Sequence, residues 1–143
     1  MNFDSIPWRL IKGRKEQEVV LVRHRLFSAD FPKGDFAHRL NIFWQMSDAS
    51  ANGMPEDSET KLMEVFEDRL VEATEPDEEA VLSMVVTGNS QREYVFHTRS
   101  TDEFLRRLTE MPQEEERYPI ELHHTEDAEW EYFDRVLGDF AIQ

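Results

Sequence analysis

Carboxylates are the most abundant reactive groups in this 143-residue sequence, 31 Asp and Glu against 16 Lys and Arg, so acid–base chemistry is the first possibility to weigh. Near the end, Glu129, Glu131 and Asp134 crowd into "EDAEWEYFDRVL" (126–137). Glycoside cleavage requires two carboxyls flanking one bond, with unequal pKa values. These three lie on one short predicted helix with nothing opposing them, and so make no such pair. The five histidines raise metal binding. His123 and His124 are adjacent in a predicted strand and must point to opposite faces, so they cannot share an ion. A set drawn from His24 or His38, His97 and His123 would have to converge through tertiary structure alone. The sequence has no cysteine, which removes a thiolate nucleophile, a thiolate zinc site and a disulfide framework. "TGNS" (87–90) lacks the lysine and helix of a phosphate loop, and no Gly-x-Ser-x-Gly elbow occurs. The residues point to a non-catalytic protein with no metal or cofactor.

Positioning falls to an alternation of strands and helices. "EVVLVRHRLF" (18–27) and "HRLNIFWQMS" (38–47) read as strands separated by a loop containing Pro32 and Gly34. A helix follows the Asn52-Gly53 and Pro55 punctuation, capped by Asp57 or Ser58, with Leu62, Met63, Phe66, Leu70 and Ala73 at helical spacing. Its other face holds Glu59, Glu64, Glu67, Asp68 and Glu72, and Pro76 ends it. "AVLSMVVTGNSQREYVFHTR" (80–99) is a hairpin turning at Gly88-Asn89-Ser90. Ser100 and Glu103 form a capping box for a helix with Phe104, Leu105, Leu108 and Met111 on its buried stripe. "YPIELHHT" (118–125) is a strand, and Asp127 caps a last helix whose Trp130, Phe133 and Leu137 share a face before Gly138. From residue 38 the order is β-α-β-β-α-β, the unit of a ferredoxin-like sandwich. The expected fold is α+β: a mostly antiparallel sheet with helices on one face, extra N-terminal strands and a C-terminal helix. No repeat or linker interrupts residues 1–143, so one domain is expected.

Period-two alternation then assigns the sheet faces. With Val20, Val22, Leu26, Leu40, Ile42, Trp44, Leu82, Met84 and Val86 turned to the helices, the opposite face receives Arg23, Arg25, Arg39, Asn41, Phe43, His97, Arg99 and His123. One possibility is an anionic-ligand face gripped by Arg23, Arg25, Arg39, His97 and Arg99. The other is a closed face, paired across strands with Glu18, Glu93 and Glu121 or covered by the amino terminus or the last helix, and this is the favoured one.

Charge is unevenly spread. Residues 1–39 carry eight Lys and Arg against five Asp and Glu, whereas residues 40–143 carry eight against twenty-six. Such a field repels nucleic acid and anionic membranes and speeds encounter with basic surfaces. The start lacks a long apolar run behind a basic segment, so neither a signal peptide nor a membrane span is expected, and a cytoplasmic protein is.

Four stretches, in order, resemble the bacterial family called domain of unknown function 695: "VVLVR" (19–23), "NGMPEDSE" (52–59), "VVTGNSQREYVFHT" (85–98) and "YPIELHHTEDAEWEYFDRVL" (118–137). The sequence departs from the pattern at Asn89-Ser90, where a second glycine is typical, and at "GDFAIQ" after the last helix. The family brings no established activity. Its likeness in fold to the regulator of ribonuclease E activity B, an acidic inhibitor that binds a nuclease, implies a protein-binding regulator and assigns no residue. The expected function is an acidic module that binds a protein with a basic surface. Candidate contacts are Glu64, Glu67, Asp68 and Glu72 on the first helix, and Glu126, Glu129, Glu131 and Tyr132 at the end. The alternative is a small enzyme or ligand-binding protein using the basic sheet face.

Overall fold

The computed structural model describes residues 2–16, 18–47 and 53–141. The elements are β1 (Trp8–Lys15), β2 (Glu18–Arg25), β3 (His38–Gln45), α1 (Asp57–Thr74), β4 (Ala80–Gly88), β5 (Gln91–Thr98), α2 (Thr101–Glu110), β6 (Ile120–Glu126) and α3 (Glu131–Ala141). The six strands form one sheet in the order β1-β2-β4-β5-β3-β6, and every pairing is antiparallel. The last four of these strands, with α1 and α2, make the expected ferredoxin-like unit. β2 extends it by pairing with β4, and β1 closes against β2.

β1 had no counterpart in the sequence reading. "WRLIKGRK" carries four cations, Arg9, Lys12, Arg14 and Lys15, as suits an edge strand, and its turn to β2 closes at Lys15↔Glu18 without Gly or Asn to announce it. Glu16 there adopts φ 52°. The β4–β5 hairpin turns where expected, with Asn89 and Ser90 at φ 53° and 63°, the pair of positive values that a two-residue turn matched to strand twist requires. Gly88 lies so close to β2 that a Cβ would sit 2.8 Å from the Val19 carbonyl oxygen.

Two cores lie on opposite sides of the sheet. Leu40, Ile42, Trp44, Leu82, Val85, Tyr94 and Phe96 pack beneath Met63, Phe66 and Leu70 of α1 and Phe104 of α2. Val81, Met84 and Val95 pack against Phe3, Phe31, Phe36, Trp130 and Phe133. α1 and α2 thus share one face, and the amino terminus, the segment preceding β3 and α3 cover the other.

The faces of β2 are the reverse of the simple alternation, because β4 carries a bulge. Leu82 opposes Phe96 and Met84 opposes Val95, which leaves Ser83 as the extra residue; its hydroxyl donates to the Val95 carbonyl at 3.1 Å. One extra residue inverts the side-chain phase of everything that follows. Met84 and Val86 therefore turn towards α3. Val22 and His24, which oppose Val86 and Met84, go with them, while Arg23 opposes Val85 on the α1 face.

Local signals explain most helix ends. Ser100 caps α2 by accepting from the Glu103 amide at 3.2 Å, although Glu79 rather than Glu103 accepts from the Ser100 amide, at 2.9 Å. Asp127 caps α3 by accepting from the Glu131 amide at 2.9 Å. α1 begins behind Glu56, which makes no side-chain cap. Glu59 is buried, not solvated, because its carboxylate accepts from the amide and hydroxyl of Ser47. Leu62 is 46% exposed. α3 continues through Gly138, and Trp130 precedes it with φ 58°. Among the described residues no helix is long and apolar enough to cross a membrane, and no group of three or more His, Cys, Asp or Glu could hold a metal ion.

Candidate functional site

Helical periodicity turns Met63, Phe66 and Leu70 inward and sets Glu64, Asp68 and Glu72 along one outward stripe at i, i+4 and i+8. All three are exposed and take part in no ion pair with the described residues. Like charges at this spacing cost an isolated helix roughly 0.2–0.5 kcal/mol per pair. Beside the stripe, a groove of about 410 Å³ runs between α1 and the β1–β2 hairpin, with Leu10, Leu21 and Val85 among its apolar residues and Glu64, Glu67 and Asp68 along one wall. Glu67 is paired there with Arg23, whose guanidinium lies 4.7 Å from the Trp8 ring centre. Leu10 is 63% exposed at the groove mouth. The arrangement offers anionic contacts beside a small depression in which Leu10, Leu21 and Val85 are mixed with Thr87, Arg23 and Arg92.

Glu126, Glu129 and Glu131 are also exposed, but they cluster where β6 leads into α3, and α3 lies on the opposite sheet face from α1. Tyr132 is half-buried. Its hydroxyl donates to Glu93 Oε2 at 2.6 Å, and the Arg39 guanidinium lies 4.5 Å from its ring centre. Burial, followed by the Glu93 charge, pushes its phenol well above the ordinary range.

The five residues of the basic-face alternative are not brought together. Arg25 is buried and pairs with Glu75 at 3.1 Å, and it donates to the Phe3 carbonyl. Burial raises the Glu75 carboxyl, an effect opposed by the Leu82 amide and by Arg25. Arg23 shares the α1 face, away from Arg39 and His97. Arg39 pairs with Asp127 at 2.7 Å and donates to Asn41 Oδ1 at 2.8 Å. Arg99 packs 4.4 Å from the Phe36 ring centre and donates to the Glu78 carbonyl. His97 is fully buried and stacked on Trp130, with 3.7 Å between ring centres and 14° between planes. Among the described residues neither ring nitrogen has a hydrogen-bond partner, and burial pushes the imidazole pKa down to about 3.

The polar chain from Asp127 through Arg39 and Asn41 to Glu93 and Tyr132 was not legible as a unit. The sequence marks Asp127 only as a cap and Tyr132 only as a candidate partner contact. The pairing of Phe43 with Glu93 across β3 and β5, which puts Asn41 near that carboxylate, depends on register.

Taken together, these features define a class: an α+β protein with a ferredoxin-like sheet covered on both faces and an unpaired acidic helix stripe beside a shallow groove. Within it, this chain belongs to the family of unknown function DUF695, whose model matches residues 7–137. No curated protein and no solved structure matches it.

Proposed function

We propose that the protein is a non-catalytic binding module that docks a basic protein surface on α1, and so acts as a regulator of that partner. The observation that carries this proposal is the Glu64, Asp68 and Glu72 stripe, which is repulsive within the helix and is left uncompensated. Elsewhere Arg23, Arg25, Arg39, Arg69, Arg106 and Arg107 are all held in internal ion pairs. A partner supplying lysine or arginine at matching positions would relieve the repulsion and gain charge-assisted hydrogen bonds. The groove beside the stripe gives such a partner an apolar foothold. Its likeness to a family related in fold to a nuclease inhibitor favours a nucleic-acid-handling protein, whose own surface is basic. Glu126, Glu129 and Glu131 form a separate acidic patch, which a flat partner seated on α1 would not cover.

The basic-face alternative is less favoured, because its arginines and His97 are engaged within the protein and are divided between the two sides of the sheet. The test is affinity capture with two neutralised variants. Changing Glu64→Gln, Asp68→Asn and Glu72→Gln together should abolish retention of a specific partner, whereas Glu126→Gln, Glu129→Gln and Glu131→Gln together should leave it. Equal retention by the α1 variant would refute the proposal.

A further inference from the structure

A second concavity lies under α3, on the sheet face away from the acidic stripe. It measures about 590 Å³, within the roughly 300–1,000 Å³ usual for small-ligand sites. Val20 and Val86 of the sheet and Val136 and Phe140 of α3 supply its apolar lining, and Glu93 and Tyr132 are among its polar groups.

Glu93 is 6% exposed, yet no cation pairs with it among the described residues. Asn41 Nδ2 and the Tyr132 hydroxyl both donate to its Oε2, at 2.7 and 2.6 Å. Oε1 accepts no hydrogen bond from a described residue. Arg39, the nearest cation in this chain of contacts, is committed to Asp127 and Asn41. Two cations, Lys15 and Arg135, line the cleft together with the acidic Glu16, Glu18 and Asp139; Arg135 lies 5.3 Å from the Tyr132 ring centre, and neither cation pairs with Glu93 among the described residues.

A carboxylate removed from water and given only neutral donors bears a desolvation cost that an opposite charge would offset. Two donors fix its orientation, and Glu93 lines the cleft, so a cation entering there meets a carboxylate that needs no further ordering. We infer that this cleft is a binding site for a small alkylammonium ligand, its amine donating to Glu93 Oε1 and its hydrocarbon part lying along Val20, Val86, Val136 and Phe140. The site is independent of α1 and would stand if the protein-docking proposal failed.

The test is a titration of the full chain, followed by backbone amide NMR, with n-hexylammonium, hexanoate and 1-hexanol as separate probes. Saturable shifts at Gly88, Gln91 and Val136 with n-hexylammonium, much weaker with the other two, are expected. Glu93→Gln keeps an acceptor oxygen for Asn41 and Tyr132, and should weaken the amine roughly tenfold to a hundredfold, the worth of a hydrogen bond to a charged group. Should that variant fail to fold, Val136→Lys places a resident ammonium in the cleft and should exclude the probe. Hexanoate or hexanol binding as tightly as the amine, unchanged affinity in a folded Glu93→Gln or Val136→Lys variant, or no saturable shift at all would each overturn the inference.

Discussion

His97 makes folding stability depend on pH in a way that one substitution should remove. Its folded pKa is held at about 3, against 6.5 for a free imidazole. The folded state therefore keeps the ring neutral while the unfolded chain takes up a proton as pH falls below 6.5. Stability from this group is full at neutral pH and is lost as pH drops through 6.5 towards 3. Linkage puts the loss at about 2 kcal/mol between pH 7 and pH 5, and about 3 kcal/mol by pH 4. With a urea dependence of about 2 kcal/mol per molar, the first figure lowers the unfolding midpoint by roughly 1 M. His97→Phe keeps a flat ring against Trp130, removes two nitrogens that no described residue pairs with, and cannot titrate. Urea unfolding followed by circular dichroism at pH 7 and pH 5 should show the wild type losing about 2 kcal/mol more than the variant. His24, whose pKa is also lowered by burial, and all carboxylates are common to both proteins and cancel in the difference. Equal pH dependence in the two would refute the assignment of a neutral, desolvated imidazole.

Three further outcomes test the packing. Glu75→Ala strands buried Arg25 and removes the acceptor of the Leu82 amide, so it should cost roughly 3–5 kcal/mol by chemical denaturation, much of it recovered when Arg25→Met is added. Gly88→Ala drives a methyl group to within 2.8 Å of the Val19 oxygen and should destabilise by about 1–3 kcal/mol, with NMR changes concentrated where β2 meets β4. Ser100→Ala deletes the α2 cap and should cost about 1 kcal/mol, visible as faster amide exchange at Glu103.

Strands β2 to β6 and all three helices were legible because their signals are local: alternation, two caps and a turn that needs positive φ. β1 was not, since a charged edge strand lacks the apolar alternation of a half-buried one and Glu16 occupies a turn position that favours glycine. The larger error came from Ser83. Nothing in "AVLSMVV" distinguishes a bulge from a regular strand, yet that residue turns Met84 and Val86 towards α3, with Val22 opposite Val86. It also sends Arg23 to the α1 face, away from Arg39 and His97. The basic face envisaged from sequence was therefore divided between two sides of the sheet. The acidic stripe survived because Glu64, Asp68 and Glu72 depend only on the period of one helix. Glu59, on that same helix, did not, because its partner Ser47 lies across the β3–α1 connection.

The most direct test of α1 as the docking surface is the rate at which a captured partner associates, measured at about 50 and 300 mM salt. The proposal predicts association that slows steeply with salt for the wild type, and a slower, nearly salt-independent rate for the variant carrying Glu64→Gln, Asp68→Asn and Glu72→Gln. Association that is insensitive to salt in the wild type, or identical in the two proteins, would contradict it.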